Sequence, residues 1–458
     1  MGRSVTALAT DPLFRSGERA VSATVVNVVG TETLPAAVAH GKRIFYHASD
    51  RRMSAEGYLS CATCHVDGGH DGRTFDFTGR GEGLRNTTDL RGRGGTSHGN
   101  VHWSANFDEI QDFEGDIRNA FGGSGFMDDA DFAATSAPLG PAKAGLSADL
   151  DDLAAYLSSL GDDHLPKSPF RQASGALTAQ AENGRTLFRN QGCTTCHGGP
   201  RFTDSTVGAG LLHDVGTLRT TSGGRLGGPL PGIDSPTLRG LFASAPYFHD
   251  GSAESLEAVF TVAGGQVFAA EAATPSGGAQ LVNNYVDLNN DDTVRGRAYV
   301  SLQNPAARLT FTGIDGGPGG LGALEVRFSN ARAISLTATV NGVPQSLMLP
   351  DVGNNPTWRH TNWRAIRFEN VSWSAGATNT VQLSTTDNFP DISLDEIVVS
   401  TATHLAKAQP HRRVSSLSQS DRDALVAYLR QLDGSPEDNP VGAIFQDGFE
   451  SGTTGAWH

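Results

Sequence analysis

The apolar positions of "DLDDLAAYLSSLGD" (Asp149 to Asp162) fall on one helical face. Leu150, Leu153, Ala154, Leu157 and Leu160 recur at helical spacing, and Ser147 stands where an N-terminal cap belongs. A later stretch, "DRDALVAYLRQLDG" (Asp421 to Gly434), repeats the frame Leu-x-Ala-Tyr-Leu-x-x-Leu. Two further segments also match each other. "GKRIFYHASD" and "GRTLFRNQGC" set Gly41/Phe45 and Gly184/Phe188 at one spacing, as a single helix face requires. The pattern predicts two lobes, each with an opening and a closing helix. From His65 to Leu153 and from His197 to Leu425 the two repeats differ by about 140 residues, the size of a small domain. The excess has its own pattern. Val267 to Thr401 holds no cysteine and no lysine, and runs such as "ISLTATVNG" and "TNTVQLSTT" alternate with period two. These read as short antiparallel strands, hence a β-sandwich inserted in the second lobe. The segment "AVSATVVNVVG" (Ala20 to Gly30) also reads as a strand.

The expected fold is therefore mainly α: two lobes, the second interrupted by an all-β jelly-roll sandwich. Its parts are an N-terminal extension (1–33), a first lobe (34–165), a second lobe (166–266 and 404–436), the insert (267–403) and a flexible tail (437–458). At 458 residues the chain has room for two to four domains. Its 56 glycines, 21 prolines and 18% charged residues make it loop-rich without making it disordered. A net charge of −14 argues against nucleic acid and anionic membrane surfaces as partners. No apolar run reaches the ~18 residues of a membrane span.

The chemistry sits in "SCATCHVDGGH" (Ser60 to His70) and "CTTCH" (Cys193 to His197). Cys-x-x-Cys-His fits c-type haem attachment, with two thiols becoming thioethers and the next residue placing an imidazole under the iron. A redox dithiol has no use for that histidine. One zinc shared by two distant cysteine pairs is the competing reading, and it leaves both histidines unexplained. The motifs use all four cysteines, so Cys61, Cys64, Cys193 and Cys196 would bind two covalent haem c groups, with His65 and His197 on the irons. The lobes are then of the cytochrome c type. Such maturation occurs outside the cytoplasmic membrane, which implies a bacterial periplasmic or extracellular protein. The N-terminus lacks a basic region followed by an apolar stretch, so the expectation is a piece of a longer chain.

The two motifs, with "EGLRNTTDLRG", "HWSANFDEIQDFEGDIRN" and above all "SPTLRGLFASAPYFHDGSAESLEAV" (Ser235 to Val259), resemble the di-haem cytochrome c peroxidase and MauG family. The resemblance covers about Leu34 to Val262 and the final helix. It implies that one haem stores an electron while the other reacts with hydrogen peroxide or forms high-valent iron, with a small redox protein as electron donor. It implies that Trp103 lies between the haems, although a core aromatic is the other reading. It places Gln111 and the acidic residues after it in the loop over the peroxidatic haem, and Asn86, Ser244 and Pro246 at an inter-haem calcium. Two departures stand out. The family's distal glutamate is replaced by "NAFGGSGF", leaving Glu114 or Asp116 as substitutes. The family's second-haem ligand position falls on Ala263, and none of Met53, Met127 and Met348 stands there. His404 and His411 are the remaining candidates for that ligand, and both otherwise read as surface histidines. His70 is too close to His65 to reach round a porphyrin without strain.

The insert resembles carbohydrate-binding modules of the galactose-binding-like group through "FAAEA", "LEVRFSNARAISLTATVNG", "AGATNTVQLST" and "DISLDEIVV". That resemblance implies a structural calcium at Glu271 and Asp395, and a polysaccharide platform from Tyr285, Trp358, Trp363 and Asn388. Tryptophans filling the sandwich core are the alternative. Two functions follow. One is a peroxidase-like di-haem oxidoreductase docked to glycan. The other is a glycan-docked electron-transfer protein without its own peroxidase chemistry.

Overall fold

A computed structural model describes residues 4–9, 22–27, 30–208, 211–283, 298–353, 363–388, 392–435 and 438. In the first lobe the opening helix Ala36–Tyr46 crosses the closing helix Ala148–Ser159, which Ser147 caps by accepting from the Leu150 amide. In the second lobe Ala179–Asn190 crosses Gln419–Leu429 in the same way. The repeated glycines explain the crossings. A Cβ on Gly41 would stand 1.8 Å from the Asp152 carbonyl oxygen, and one on Gly184 1.9 Å from that of Ala424. Only a bare Cα admits helices this close. The repeated aromatics lock the same joints: Phe45 meets Tyr156 edge-on at 5.2 Å, and Phe188 meets Tyr428 at 5.5 Å.

The insert is a sandwich of two antiparallel sheets. One orders its strands Thr274–Ser276, Arg308–Ile314, Asn379–Ser384, Ile334–Val340 and Val343–Leu349. The other runs Gln280–Asn283, Ala298–Leu302, Ile392–Ser400, Gly320–Asn330 and Arg364–Trp373, with Gln266–Ala269 also paired to Ile392–Ser400. Alternation works as the sequence suggests in Ile334–Val340, where Ile334, Leu336, Ala338 and Val340 face the core. It fails in Ile392–Ser400, all of which is buried. That strand buries Ile392, Leu394, Ile397 and Val399 in the sandwich and turns Glu396 and Ser400 towards the haem-motif lobe. Ser400 Oγ donates to the Gly264 carbonyl at 2.8 Å, and Glu396 lies 4.0 Å from Arg219.

The expectation of a mainly α protein is corrected here: the described residues are 28% helical and 26% strand. The lobes keep few long helices because the segments between them are loops and short turns, whereas the insert is almost all strand. The strand expected near Ala20 is found at Ser22–Asn27, paired with Ser4–Ala9. Among the described residues no helix is long and apolar enough to cross a membrane.

The insert leaves and rejoins its host at one doorway. Gln266 pairs with Val399, and a Cβ on Gly265 would stand 2.1 Å from the Val399 carbonyl oxygen. Beside the doorway Arg219, almost fully buried, pairs with Glu325 of the sandwich (2.8 Å) and Asp250 of the host (3.3 Å).

Candidate functional site

Cys61–Cys64 forms one helical turn, closed by Ser60 donating its amide to Thr63 Oγ1 at 3.0 Å. The second motif begins its turn after Gly192, whose φ of 69° favours glycine there. Both motif histidines are held alike. His65 Nδ1 donates to the carbonyls of Thr88 (3.0 Å) and Gly69 (3.2 Å), and His197 Nδ1 donates to that of Phe202 (3.1 Å). This fixes the tautomer with Nε2 unprotonated and free to ligate. Burial keeps both imidazoles neutral by pulling their pKa values down. Burial also pushes the thiols up, Cys61 to about 12 and Cys64 and Cys193 to about 11. Such thiols are poor redox dithiols, which need a lowered pKa.

A cavity of about 450 Å³ opens in front of the second motif. Cys193, Cys196 and His197 line it, with Phe188, Leu256 and Phe260 among its apolar walls. Arg91, Arg93, Arg239 and Arg413 also reach it, as the carboxylates of a propionate-bearing group need. Size, thiols, imidazole and cations together fit a haem. Beside the motif, Cys196, Asp204 and His213 offer ligand atoms within 4.8 Å of one another. The sequence reading missed this cluster, because nothing in the spacing joins the three. Burial and Asp204 raise the Cys196 thiol, and a thioether to haem needs no thiolate.

Trp103 lines the same cavity from the first lobe, with Asn86 and Thr88. Its Nε1 donates to the Asn86 carbonyl (2.8 Å), and its own carbonyl accepts from the Asp234 amide (2.9 Å). Since Thr88 holds His65, the wall carrying Trp103 adjoins both motifs. Asn86 and Pro246 are brought together: the Asn86 amide donates to the carbonyls of Pro246 and Phe248, while its Oδ1 is buried with no hydrogen-bond partner. Turning that amide would aim an oxygen at two carbonyl oxygens, a set that suits a hard cation. Ser244 lines the cavity with Pro246.

The loop residues are tied down. Gln111 Nε2 donates to Asp151 of the closing helix (2.8 Å). Glu114 is fully buried, pairs with Arg118 (2.7 Å) and accepts from the amides of Phe126 (2.9 Å) and Met127 (3.1 Å). Asp116 pairs with Arg80 and lies 4.0 Å from His102, which stacks near Phe107 (4.3 Å). Burial raises the Asp116 carboxyl. His102 was not singled out from the sequence, although it adjoins Trp103.

His404 accepts from the Thr401 amide (3.1 Å) and bonds its hydroxyl (2.8 Å), capping a helix. His411 departs from the surface reading: it lines the cavity, and burial, with His197 nearby, pulls its pKa to about 4. Ala263 is buried but off the cavity wall. Met53 and Met127 sit in the first-lobe core, and Met348 is exposed on the sandwich. His70 lies 2.5 Å from the Ala243 carbonyl.

In the sandwich, Asp395 is buried and ion-paired with Arg327 at 2.7 Å. A guanidinium thus neutralises the carboxylate expected at a calcium. Glu271 has one buried carboxylate oxygen without a hydrogen-bond partner. Trp363 is 8% exposed and meets Tyr299 edge-on at 5.9 Å, as a core tryptophan does, so its face is not an open platform. Asn388 is exposed, and Tyr285 and Trp358 lie outside the described residues.

No family model matches the chain. Among curated proteins it is 28% identical to hydrazine synthase subunit gamma of Kuenenia stuttgartiensis over 46% of this chain and 66% of that one. It is 28% identical to the methylamine utilization protein MauG of Methylorubrum extorquens, over 49% of this chain and 67% of that one. It is 34% identical to the cytochrome c peroxidase Ccp of Escherichia coli, over 20% and 22%. The chain thus spans two thirds or less of these relatives. A solved hydrazine synthase from Kuenenia stuttgartiensis aligns at a TM-score of 0.38 and 24% identity, over 57% of this chain and 86% of that one. A family 35 carbohydrate binding module from Clostridium thermocellum aligns at 0.24 and 22%, over 30% and 98%. Over about half its length, this chain is similar to hydrazine synthase subunit gamma and MauG, and over a fifth of it to a cytochrome c peroxidase.

Proposed function

We propose that the chain is a di-haem c-type oxidoreductase that reduces hydrogen peroxide or oxidises a partner, in the bacterial periplasm or outside the cell. The observation that carries this reading is the pair of motif histidines, each with Nδ1 tied to a backbone carbonyl and Nε2 left free, one of them facing a cavity of about 450 Å³. Haem bound at Cys61–His65 and Cys193–His197 would supply one-electron chemistry. The chain's own groups hold and insulate it. The arginines around the second cavity neutralise carboxylates, and the packed aromatics exclude water. Trp103 offers an aromatic bridge between the two motifs for electrons arriving from a small redox protein. Calcium between Asn86, Pro246 and Ser244 would stiffen that bridge.

A second reading is favoured by Glu114 and Gln111, both spent on internal bonds. With these two side chains occupied, the first motif would pass electrons without turning over peroxide. We infer also that the 267–403 segment is a separable module that docks to polysaccharide, with Asn388 exposed for such contact and Glu271 holding an unused oxygen.

The test is direct. In the matured protein, Cys193→Ala with Cys196→Ala should halve the covalent haem stain on a denaturing gel. Retention of the full stain would remove the haem assignment. Peroxide turnover by the unaltered protein separates the two readings. The module expressed alone, titrated with calcium and on a glycan array, tests the docking proposal.

A further inference from the structure

We propose that His411 is the second axial ligand of the iron bound through His197, so that the lobe carrying the insert closes its haem with two imidazoles. This rests on the reading of Cys193–His197 as a haem site.

His411 and His197 line the same cavity. His411 Nδ1 is buried with no hydrogen-bond partner among the described residues, and the ring stands edge-on to Phe248 at 5.5 Å. A buried imidazole nitrogen left unpaired in a wall facing a haem bay is a ligand in waiting. Its place is built rather than incidental. Pro410 sits in the first turn of the helix Gln409–Arg412, where its fixed φ suits the start of a helix. Arg412 then donates to the Thr261 carbonyl, two residues before Ala263, and pairs with Glu369 of the sandwich (3.1 Å). The segment returning from the insert is thus pinned from both sides beside the position where the chain offers only a methyl group. The competing donors on the described wall are tied elsewhere. His404 is spent on Thr401, His213 on Asp204 (2.8 Å) and Tyr247 on the Leu241 carbonyl (2.8 Å), while His249, whose Nδ1 is also unpaired, is anchored through Nε2 to Ser222 (2.7 Å). With two strong ligands the second iron carries electrons and binds no small molecule, leaving chemistry to the His65 haem.

The experiment uses the full chain carrying its haems, checked first by haem stain. Near-infrared magnetic circular dichroism and electron paramagnetic resonance of the oxidised protein should show a low-spin bis-imidazole haem. In His411→Gly that signature should vanish, carbon monoxide binding should extend to the second ferrous haem, and imidazole in the buffer should restore the low-spin signal. His411→Met, which keeps the bulk, should replace the bis-imidazole band with a thioether-to-iron band. If the second haem stain is missing from the unaltered protein, the haem assignment itself falls. If both haems are present and neither substitution moves the spectrum, only the His411 ligation is wrong.

Discussion

The two lobes share one joint and differ in what fills the space beyond it. Both cross their helices at a glycine and lock them with a Phe–Tyr pair. Past that joint the first lobe is knitted by ion pairs and amides: Lys143 on Asp112 (2.6 Å), Glu114 on Arg118, Gln111 on Asp151. The second opens a large, mainly apolar cavity with unpaired imidazole nitrogens at its rim. The helix pair therefore sets where a haem motif hangs, while the loops and the returning segment decide what surrounds it.

The sharpest way to break the comparison is to cut the matched aromatics. Phe45→Ala and Phe188→Ala should each cost about 3–5 kcal/mol in the haem-bearing protein. In haem-free protein Phe188→Ala should cost less, because that ring already borders the cavity. Denaturant unfolding of both forms measures the difference, and equal losses in both forms would mean that the second lobe is as tightly filled as the first.

Next comes Arg219→Ala, which takes a guanidinium from buried Asp250 and leaves Glu325 with Arg367 (3.4 Å). A loss of about 3 kcal/mol is expected, in the transition of the second lobe and insert and not in that of the first lobe. Differential scanning calorimetry reads it. A single unchanged melting peak would show that the buried pairs contribute nothing. Smaller still are Gly41→Ala and Gly184→Ala, each forcing a methyl group into a carbonyl of the facing helix, at about 1–3 kcal/mol by thermal unfolding. Similar losses at both sites would sharpen the claim of one shared joint.

The mildest effect is in pH. Burial holds His249 at about 4 in the folded chain, against about 6.5 unfolded. The unfolded state therefore binds the extra proton first. His249 leaves stability unchanged above pH 6.5 and lowers it as pH falls from 6.5 towards 4. His249→Gln should flatten that slope in chemical denaturation, and an unaltered slope would show that other groups set it.

Much of this was legible in the residues, for identifiable reasons. Cys-x-x-Cys-His and the Gly41/Phe45 and Gly184/Phe188 repeats are local patterns, and local patterns survive without knowledge of the fold. The sandwich strands were legible where one face is wet, as in Ile334–Val340. Strand Ile392–Ser400 was harder to orient, because host and sandwich bury both of its faces. The surroundings of Glu114 were not legible, because its partner Arg118 reads as an ordinary helix neighbour until the Phe126 and Met127 amides arrive from another turn. Trp363 read equally well as platform or core until Tyr299 was found against it. His411 was discounted because the ring it packs against, Phe248, lies more than a hundred residues away in sequence.

The doorway at Gly265 has a consequence for how such a chain can be rebuilt. Since Gln266 and Val399 are already paired neighbours, the ends of the insert meet as the ends of a tight turn do. Cassette exchange should therefore be possible with another sandwich whose ends are adjacent, provided that it also supplies the carboxylates that Arg219 and Arg412 now find in the guest. What the splice cannot discard is the stretch from Thr401 onward, because the residues that finish the host's own cavity arrive only after the guest has ended.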